Sequence, residues 1–190
     1  MTLPTAIAAG CGFLFFALIL YVVSVFNELI RLKFNIEKAW ANVDVLLKQR
    51  HDLVPNLVSV VSGVKDFEKG VMQEVAAMRA AAQQAPGLVE KSQAEKDLAS
   101  SLNRLLVVAE NYPQLKAQGN FLSLQKTLSG LEDEIADRRA FFNDSVAIYN
   151  ARLAEFPVSL LAPAFNHKPH ELFQATAAEK EPASVEGLRA

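Results

Sequence analysis

Residues 6–26 read AIAAGCGFLFFALILYVVSVF, an apolar run that contains no charged side chain. A helix of this length, at 1.5 Å per residue, reaches roughly 30 Å, which is about the thickness of the hydrocarbon core of a bilayer. All 19 Lys and Arg and all 21 Asp and Glu of the 190-residue chain lie after this run. The sequence therefore predicts that residues 1–27 form a single transmembrane anchor.

Two other interpretations of this run are less consistent with its sequence. A cleaved secretory signal has a basic segment, a shorter apolar core and a small-residue cleavage site. Residues 1–4 hold no Lys or Arg, and residues 25–28 (VFNE) are poor for cleavage. A buried core helix is disfavoured because the run has no polar face. We therefore expect an uncleaved helix that crosses a membrane once.

The charged residues next to the run predict its orientation. No basic residue precedes the run, and five follow it within residues 28–50: Arg31, Lys33, Lys38, Lys48 and Arg50. Cytoplasmic flanks of membrane helices carry an excess of Lys and Arg. We therefore expect the N-terminus outside and the rest of the chain in the cytoplasm.

Charge and cysteine content exclude several classes of function. A formal net charge of −2 gives no general attraction to nucleic acid. The single cysteine, Cys11, lies inside the apolar run, so the sequence predicts neither an intrachain disulfide nor a cysteine-rich metal site.

Apolar residues continue past the anchor at the three- and four-residue spacing of an amphipathic helix. The first such stripe comprises Leu29, Leu32, Ile36, Ala39, Val43 and Leu46. No Gly or Pro occurs between Gly12 and Pro55, so we expect the anchor to continue into this helix. A second helix is predicted over residues 53–82, with Asp52 as its cap and Pro55 in its first turn. The alternative is that the first two helices form one kinked rod.

Two more helices are predicted in the second half of the chain. Pro86-Gly87 interrupts the pattern, and Ser92 with Glu95 has the spacing of a capping box that opens a third helix. That helix should end at Tyr112-Pro113, and a fourth should cover residues 121–156.

These elements predict an all-α fold, in which the anchor continues into an elongated antiparallel four-helix (up-down) bundle over residues 28–157. Residues 158–190 form the predicted C-terminal tail. Its apolar part, residues 158–165, is too short to span a bilayer and should fold back on the bundle or meet the membrane surface. Residues 171–190 are expected to be loosely ordered.

No catalytic arrangement of residues is recognisable in the sequence. His167 and His170 beside Glu171 have a spacing that suits zinc on a helix, but Pro169 disrupts the helix and no third ligand follows. HExxH, GxSxG and glycine-rich phosphate motifs do not occur. The acidic residues 132–134 read as a solvated helix surface. We therefore predict no catalytic, cofactor-binding or metal-ligating residue, no cofactor and no small-molecule substrate.

Polar residues nevertheless accumulate on the first and fourth predicted helices. The set comprises Trp40, Asn42, Asp44, Arg50, Asp52, Asn56, Asn120, Gln125, Arg138, Asn143, Asp144 and Asn150. Arg138 falls on the apolar stripe, so it is predicted to be buried with Asp44 or Asp52 as its carboxylate partner. We interpret the set as fixing helix register and helix ends, with a binding surface as the alternative.

Residues 39–50 (AWANVDVLLKQR) and 52–58 (DLVPNLV) resemble the signature of the LemA family of bacterial membrane proteins. Further similar blocks follow in the family's order: 110–117 (ENYPQLKA), 120–125 (NFLSLQ), 141–146 (FFNDSV) and 165–169 (FNHKP). The resemblance implies one N-terminal helix in the bacterial inner (cytoplasmic) membrane, a long antiparallel helical bundle and no established enzymatic activity. The chain departs from the family at residues 66–68 (DFE), where a histidine–glutamate pair is frequent, and at Asn111, where small residues are usual.

The function expected from these features is that of a non-enzymatic scaffold or adaptor. Such a protein would bind the lipid bilayer and assemble with itself or with other envelope proteins. The alternative is a regulator of membrane protein quality control or envelope remodelling, for example of a membrane metalloprotease. A third possibility is a hydrolase that uses His51 or His167 with nearby carboxylates.

Overall fold

The computed structural model describes residues 3–173, which form helices joined by short connections, without a β-strand. The helices are α1 (Leu3–Ser62), α2 (Lys69–Gln84), α3 (Leu88–Ala109), α4 (Pro113–Lys116), α5 (Gly119–Ala154) and α6 (Val158–Leu161), followed by a 3-10 turn (Ala162–Phe165). The predicted all-α class is confirmed, whereas the antiparallel four-helix arrangement stays a prediction. Of the tail that was expected to be loosely ordered, residues 174–190 lie outside the described residues.

Helix α1 is continuous for 60 residues and joins the apolar run to the first amphipathic stripe. An 18-residue window of this helix has a mean hydropathy of 2.3, and it is long and apolar enough to cross a membrane. Side chains of the run from Gly10 to Leu20 are exposed. Beyond the run one face is buried, at Val25, Leu29, Ile36, Ala39, Val43, Leu46 and Leu47. The predicted continuation of the run into the first amphipathic helix is therefore confirmed.

The predicted boundary between the first two helices, near Asp52, is wrong. Helix α1 runs through Pro55 and ends at Ser62, and the chain turns over residues 63–68, where Asp66 has a φ of 66°. Aspartate tolerates this left-handed conformation better than most side chains. The kinked-rod alternative correctly placed these residues in one helix, although the break at residues 63–68 still separates α1 from α2.

Proline inside a helix leaves the carbonyl four residues earlier without its N–H partner. For Pro55 that carbonyl belongs to His51, and it accepts a hydrogen bond of 2.7 Å from Nε of Arg79 on α2. A buried carbonyl without a partner is costly, so this contact offsets part of the cost of proline in the helix interior. Nothing in the sequence indicates that a side chain from another helix replaces the missing backbone donor.

The predicted start of the third helix is also wrong. Helix α3 begins at Leu88, directly after Gly87, so Ser92 and Glu95 lie inside the helix rather than at its end. Both side chains are buried, and Glu95 takes part in an ion pair described below.

The described chain separates into two compact units. Unit 1 contains residues 3–40 and 141–170, and unit 2 contains residues 41–140 and 171–173. The core of unit 2 is formed mainly by aliphatic side chains of α1, α2, α3 and α5, including Leu57, Val75, Leu98, Leu102, Leu105 and Leu128. Helices α2 and α3 pack together, and Arg104 of α3 forms an ion pair of 2.9 Å with Glu74 of α2.

In unit 1, the end of α5 and the segment after it pack against α1. The rings of Trp40 and Phe142 lie 5.5 Å apart, and the ring of Phe165 meets that of Phe26 at 5.1 Å. Arg152 forms an ion pair of 2.7 Å with Glu28. The apolar segment 158–165 thus folds back onto α1, as one of the two sequence-based expectations stated.

Candidate functional site

Unit 2 contains a buried cluster of charged side chains that we call the Arg50 cluster. It consists of Arg50 and His51 from α1, Glu95 from α3 and Glu132 from α5. Arg50 is only 2% exposed and Glu95 only 3%. Charged groups are rarely buried to this degree unless they are paired, so the cluster is the most unusual chemistry in this unit.

The guanidinium of Arg50 lies at the centre of the cluster. Its Nη1 donates to both carboxylate oxygens of Glu132, at 2.7 and 2.8 Å. Its Nη2 donates to Oε2 of Glu95 at 2.5 Å and to the backbone carbonyl of Glu95 at 3.2 Å. Nε2 of His51 lies 3.0 Å from the other carboxylate oxygen of Glu95. One arginine therefore links three helices of unit 2.

The cluster keeps Glu95 ionised. Burial alone raises the pKa of the Glu95 carboxyl, but the hydrogen bond from His51 and the charge and hydrogen bonds of Arg50 outweigh it, so the pKa is lowered below its ordinary value of 4.5. A general acid at neutral pH needs a carboxyl with a raised pKa. Glu95 therefore has the properties of a structural counter-ion rather than of a catalytic acid.

A cavity of about 250 Å³ lies beside the cluster. Its lining carries three basic side chains (Arg50, Lys96, Arg139) and three acidic ones (Glu95, Glu132, Asp133). The ring of Phe173 also lines it and lies 4.6 Å from the guanidinium carbon of Arg139. The charges of the lining balance, so the cavity has no net attraction for an ionic ligand.

Unit 1 contains a second polar feature, which we call the His167 cleft. It encloses about 210 Å³ and is lined by Lys33, Tyr149, Asn166, His167, Lys168, Pro169 and His170. The hydroxyl of Tyr149 lies 2.9 Å from Nδ1 of His167. Burial raises the pKa of Tyr149, and burial together with the charge of Lys33 lowers the pKa of His167. No Asp or Glu side chain within residues 3–173 lines this cleft.

The structure assigns the buried charge to a different residue from the one predicted. Arg138 is exposed, and so are its predicted partners. Asp44 instead forms an ion pair of 2.5 Å with Lys91, and that pair lies at the surface. The buried arginine is Arg50. It was recognisable in principle, because it continues the buried positions Val43, Leu46 and Leu47 of α1 at helical spacing.

Glu95 and Glu132 were missed for different reasons. Glu95 lies three residues before Leu98 on the buried stripe of α3, but its distance from Ser92 fits a capping box equally well. Glu132 is 35% exposed and stands in an acidic run, which resembles an ordinary solvated surface. His167 and His170, which were considered as zinc ligands, belong to unit 1, whereas His51, which was considered only for a hydrolase, belongs to unit 2. No group of three or more His, Cys, Asp or Glu side chains suited to a metal occurs within residues 3–173.

The described residues thus form an all-helical protein whose N-terminal helix is long and apolar enough to cross a membrane. The sequence model of the LemA family matches residues 39–186, and the chain belongs to this family. The resemblance inferred from the sequence blocks is therefore confirmed.

Individual relatives match different amounts of the chain. Protein LemA of Metamycoplasma hominis is 25% identical over 195 residues, covering 98% of this chain and 88% of that protein. Magnetosome protein MamQ of Magnetospirillum gryphiswaldense and magnetosome protein MamQ 2 of Paramagnetospirillum magneticum are each 30% identical over 89 residues. These two alignments cover 47% of this chain and 33% of each relative, so the chain spans about a third of the length of the magnetosome proteins.

Proposed function

We propose that this protein is a membrane-anchored, non-enzymatic scaffold that assembles with further copies of itself. The observation that carries the proposal is the continuity of α1 from the apolar run to Ser62. The same helix supplies both the exposed apolar segment and a large part of the cores of both units. A helix inserted in a bilayer would thus lead into the folded units without an intervening linker.

The Arg50 cluster supports a structural role over a catalytic one. Both terminal nitrogens of its arginine donate to carboxylates, and the more buried of the two carboxylates is held ionised. Catalysis instead requires an acid, base or nucleophile whose protonation changes near the working pH. The cluster is well suited to fixing the register of α1, α3 and α5, which is the best-attested use of buried ionic groups.

An exposed apolar face on unit 1 supports self-assembly. Phe141 and Ile148 are 55% and 59% exposed, and they lie seven residues apart on the same face of α5. Phe34 on α1 is also exposed. Apolar residues at this spacing suit packing against another helix. A second copy of the chain carries the same face and can form a symmetric contact with it.

The membrane location completes the proposal. The α1 segment around residues 10–26 is placed in the bacterial inner membrane, with the N-terminus outside and the helical units in the cytoplasm, because all five flanking basic residues of residues 28–50 follow the run. A cysteine introduced at the exposed turn position Asn111, in a Cys11→Ser background, tests this orientation. Labelling of intact cells by a membrane-impermeant thiol reagent would contradict the cytoplasmic assignment.

In-cell crosslinking tests the assembly. In the Cys11→Ser background, Ile148→Cys should give a crosslinked dimer with a short bifunctional thiol reagent. Ala147→Cys is a matched control, because it is also exposed but points about 100° away around α5. Adducts that contain only other proteins would favour the regulator of an envelope protein instead. No adduct from either position would contradict the scaffold.

A further inference from the structure

The His167 cleft is built from basic and neutral polar groups. Lys33 comes from α1, and His167, Lys168 and His170 come from the segment after the 3-10 turn. Within residues 3–173, neither Lys33 nor Lys168 forms an ion pair with a carboxylate. Two lysines that face the same small cleft without a counter-ion favour the binding of an anion.

Several hydrogen bonds hold the basic segment in place. Asn166 has a left-handed backbone with a φ of 56°, and the N–H of His167 donates to the carbonyl of Ala162 at 3.0 Å. The side chain of Asn150 on α5 accepts from the N–H of His170 and donates to its carbonyl, both at 2.9 Å. The cleft is thus organised before a ligand arrives, which reduces the ordering cost of binding.

Tyr149 determines which polar groups of the cleft remain for a ligand. Its hydroxyl is hydrogen-bonded to Nδ1 of His167, so Nε2 is the nitrogen of that ring that remains for a ligand. The ring of His170 packs edge-on against Tyr149 at 5.4 Å. The two histidines and the two lysines therefore surround one buried tyrosine, and the lysines supply the charge.

The cleft belongs to the unit that contains the apolar run. Lys33 lies seven residues beyond Phe26, about 10 Å further along α1. The segment that carries the histidines returns to α1 through the contact of Phe165 with Phe26. The residues just before the 3-10 turn include two large exposed apolar side chains, Phe156 at 81% and Leu160 at 69%. The headgroup layer of a bilayer extends roughly 5–8 Å beyond its hydrocarbon core, close to the height of this cleft.

We propose that the His167 cleft is a binding site for a phosphate group, with Lys33 and Lys168 as the charged contacts and the two histidines as further donors. A phosphate ester fits because it accepts several hydrogen bonds and carries the negative charge that the cleft lacks. An anionic phospholipid headgroup and a soluble phosphate compound share this chemistry. The lipid source rests on the proposed membrane anchoring, but neither source requires self-assembly.

The electrostatics of His167 are consistent with this site. Burial and the charge of Lys33 both lower the pKa of His167, so Lys33 adds positive charge at the cleft. A bound phosphate would compensate it.

Lipid binding is tested with the full chain in nanodiscs of phosphatidylcholine with or without phosphatidylglycerol, by native mass spectrometry of the released complexes. Each basic contact with an anionic surface contributes on the order of 1 kcal/mol, so Lys33→Gln with Lys168→Gln should weaken phosphatidylglycerol binding roughly 10- to 30-fold. Arg31→Gln with Lys38→Gln removes the same charge from exposed positions of α1 that do not line the cleft. This control should lower binding by no more than about twofold.

A second arm distinguishes the two sources of phosphate. Inorganic phosphate is titrated into the chain in phosphatidylcholine nanodiscs while the imidazole signals of His167 and His170 are followed by NMR. Shifts that saturate in the unmodified chain and vanish in the Lys33/Lys168 variant assign the site to soluble phosphate compounds. Phosphatidylglycerol binding without such shifts assigns it to a lipid headgroup. Binding of neither, or equal loss of binding in the control, would overturn the proposal.

Discussion

Replacing Arg50 by methionine tests whether the Arg50 cluster holds unit 2 together. Methionine keeps much of the length and apolar character of the arginine stem but removes its charge and all of its hydrogen bonds. In Arg50→Met, Oε2 of Glu95 loses its partner at 2.5 Å, and both oxygens of Glu132 lose theirs. Glu95 would remain a buried carboxylate with only His51 beside it.

The expected cost follows from the burial of the two carboxylates. Removing one member of a buried ion pair costs about 3–5 kcal/mol, because the remaining charge has lost its water as well as its partner. Glu95 is buried to this degree, so Arg50→Met should destabilise unit 2 by this amount. Glu132 is 35% exposed, so water screens it and Glu132→Gln should cost only about 1 kcal/mol.

Thermal unfolding of the full chain in detergent, followed by circular dichroism, measures both effects. A change of 1 kcal/mol moves the midpoint by roughly 3 °C for a domain of this size, so Arg50→Met should lower it by about 10–15 °C. Combining Arg50→Met with Glu95→Gln removes the orphaned charge and should restore at least half of the loss.

The control is Lys91→Gln, which breaks a surface ion pair with Asp44 and should shift the midpoint by no more than about 2 °C. If Arg50→Met shifts the midpoint no further than the Lys91→Gln control does, the Arg50 cluster does not stabilise unit 2 and the reasoning is refuted.

Three further predictions concern single contacts. Folding lowers the pKa of Glu95, so its contribution to folding stability is complete above the ordinary pKa of 4.5 and is lost as the pH falls below that value. The thermal midpoints at pH 7 and pH ~3.5 should therefore differ less in Glu95→Gln than in the unmodified chain. An unchanged difference would contradict this prediction. Arg79→Met should cost about 1–2 kcal/mol in denaturant melts but little together with Pro55→Ala, because residue 55 then donates to the carbonyl of His51 itself; additive costs would disprove that coupling. In an NMR titration His167 should have a pKa below 6.5, and this pKa should rise in Lys33→Gln. An equal pKa in both proteins would show that the charge of Lys33 does not affect His167.

The apolar run and the amphipathic stripes were sufficient to predict the helical class and the extent of α1 before Pro55. Both signals depend on local periodicity, which a single helix displays in its own sequence. One predicted helix boundary was wrong because a distant side chain compensates for a proline, and another because the helix begins earlier than its capping pattern indicates. Pro55 is accommodated inside α1 because Arg79 of α2 donates a hydrogen bond to the backbone carbonyl of His51. Ser92 does not cap a helix because α3 already begins at Leu88.

The polar sites illustrate the same limit. Arg50 stands on a buried stripe and was visible as a polar residue in an apolar position, but its partners lie 45 and 82 residues away along the chain. Sequence spacing does not indicate which carboxylate meets which arginine across three helices. The His167 cleft likewise depends on the return of the segment after α5 to α1, which brings Lys33 beside residues more than 130 positions later.

Native mass spectrometry of the full chain released from lipid nanodiscs tests the central claim, that the anchored helical units assemble with copies of themselves. The scaffold predicts a dimer or larger assembly for the unmodified chain. Ile148→Asp should shift it to monomer, whereas Ala147→Asp, which adds the same charge at the neighbouring exposed position, should leave it assembled. A strictly monomeric unmodified chain, or equal dissociation of both variants, would contradict the account.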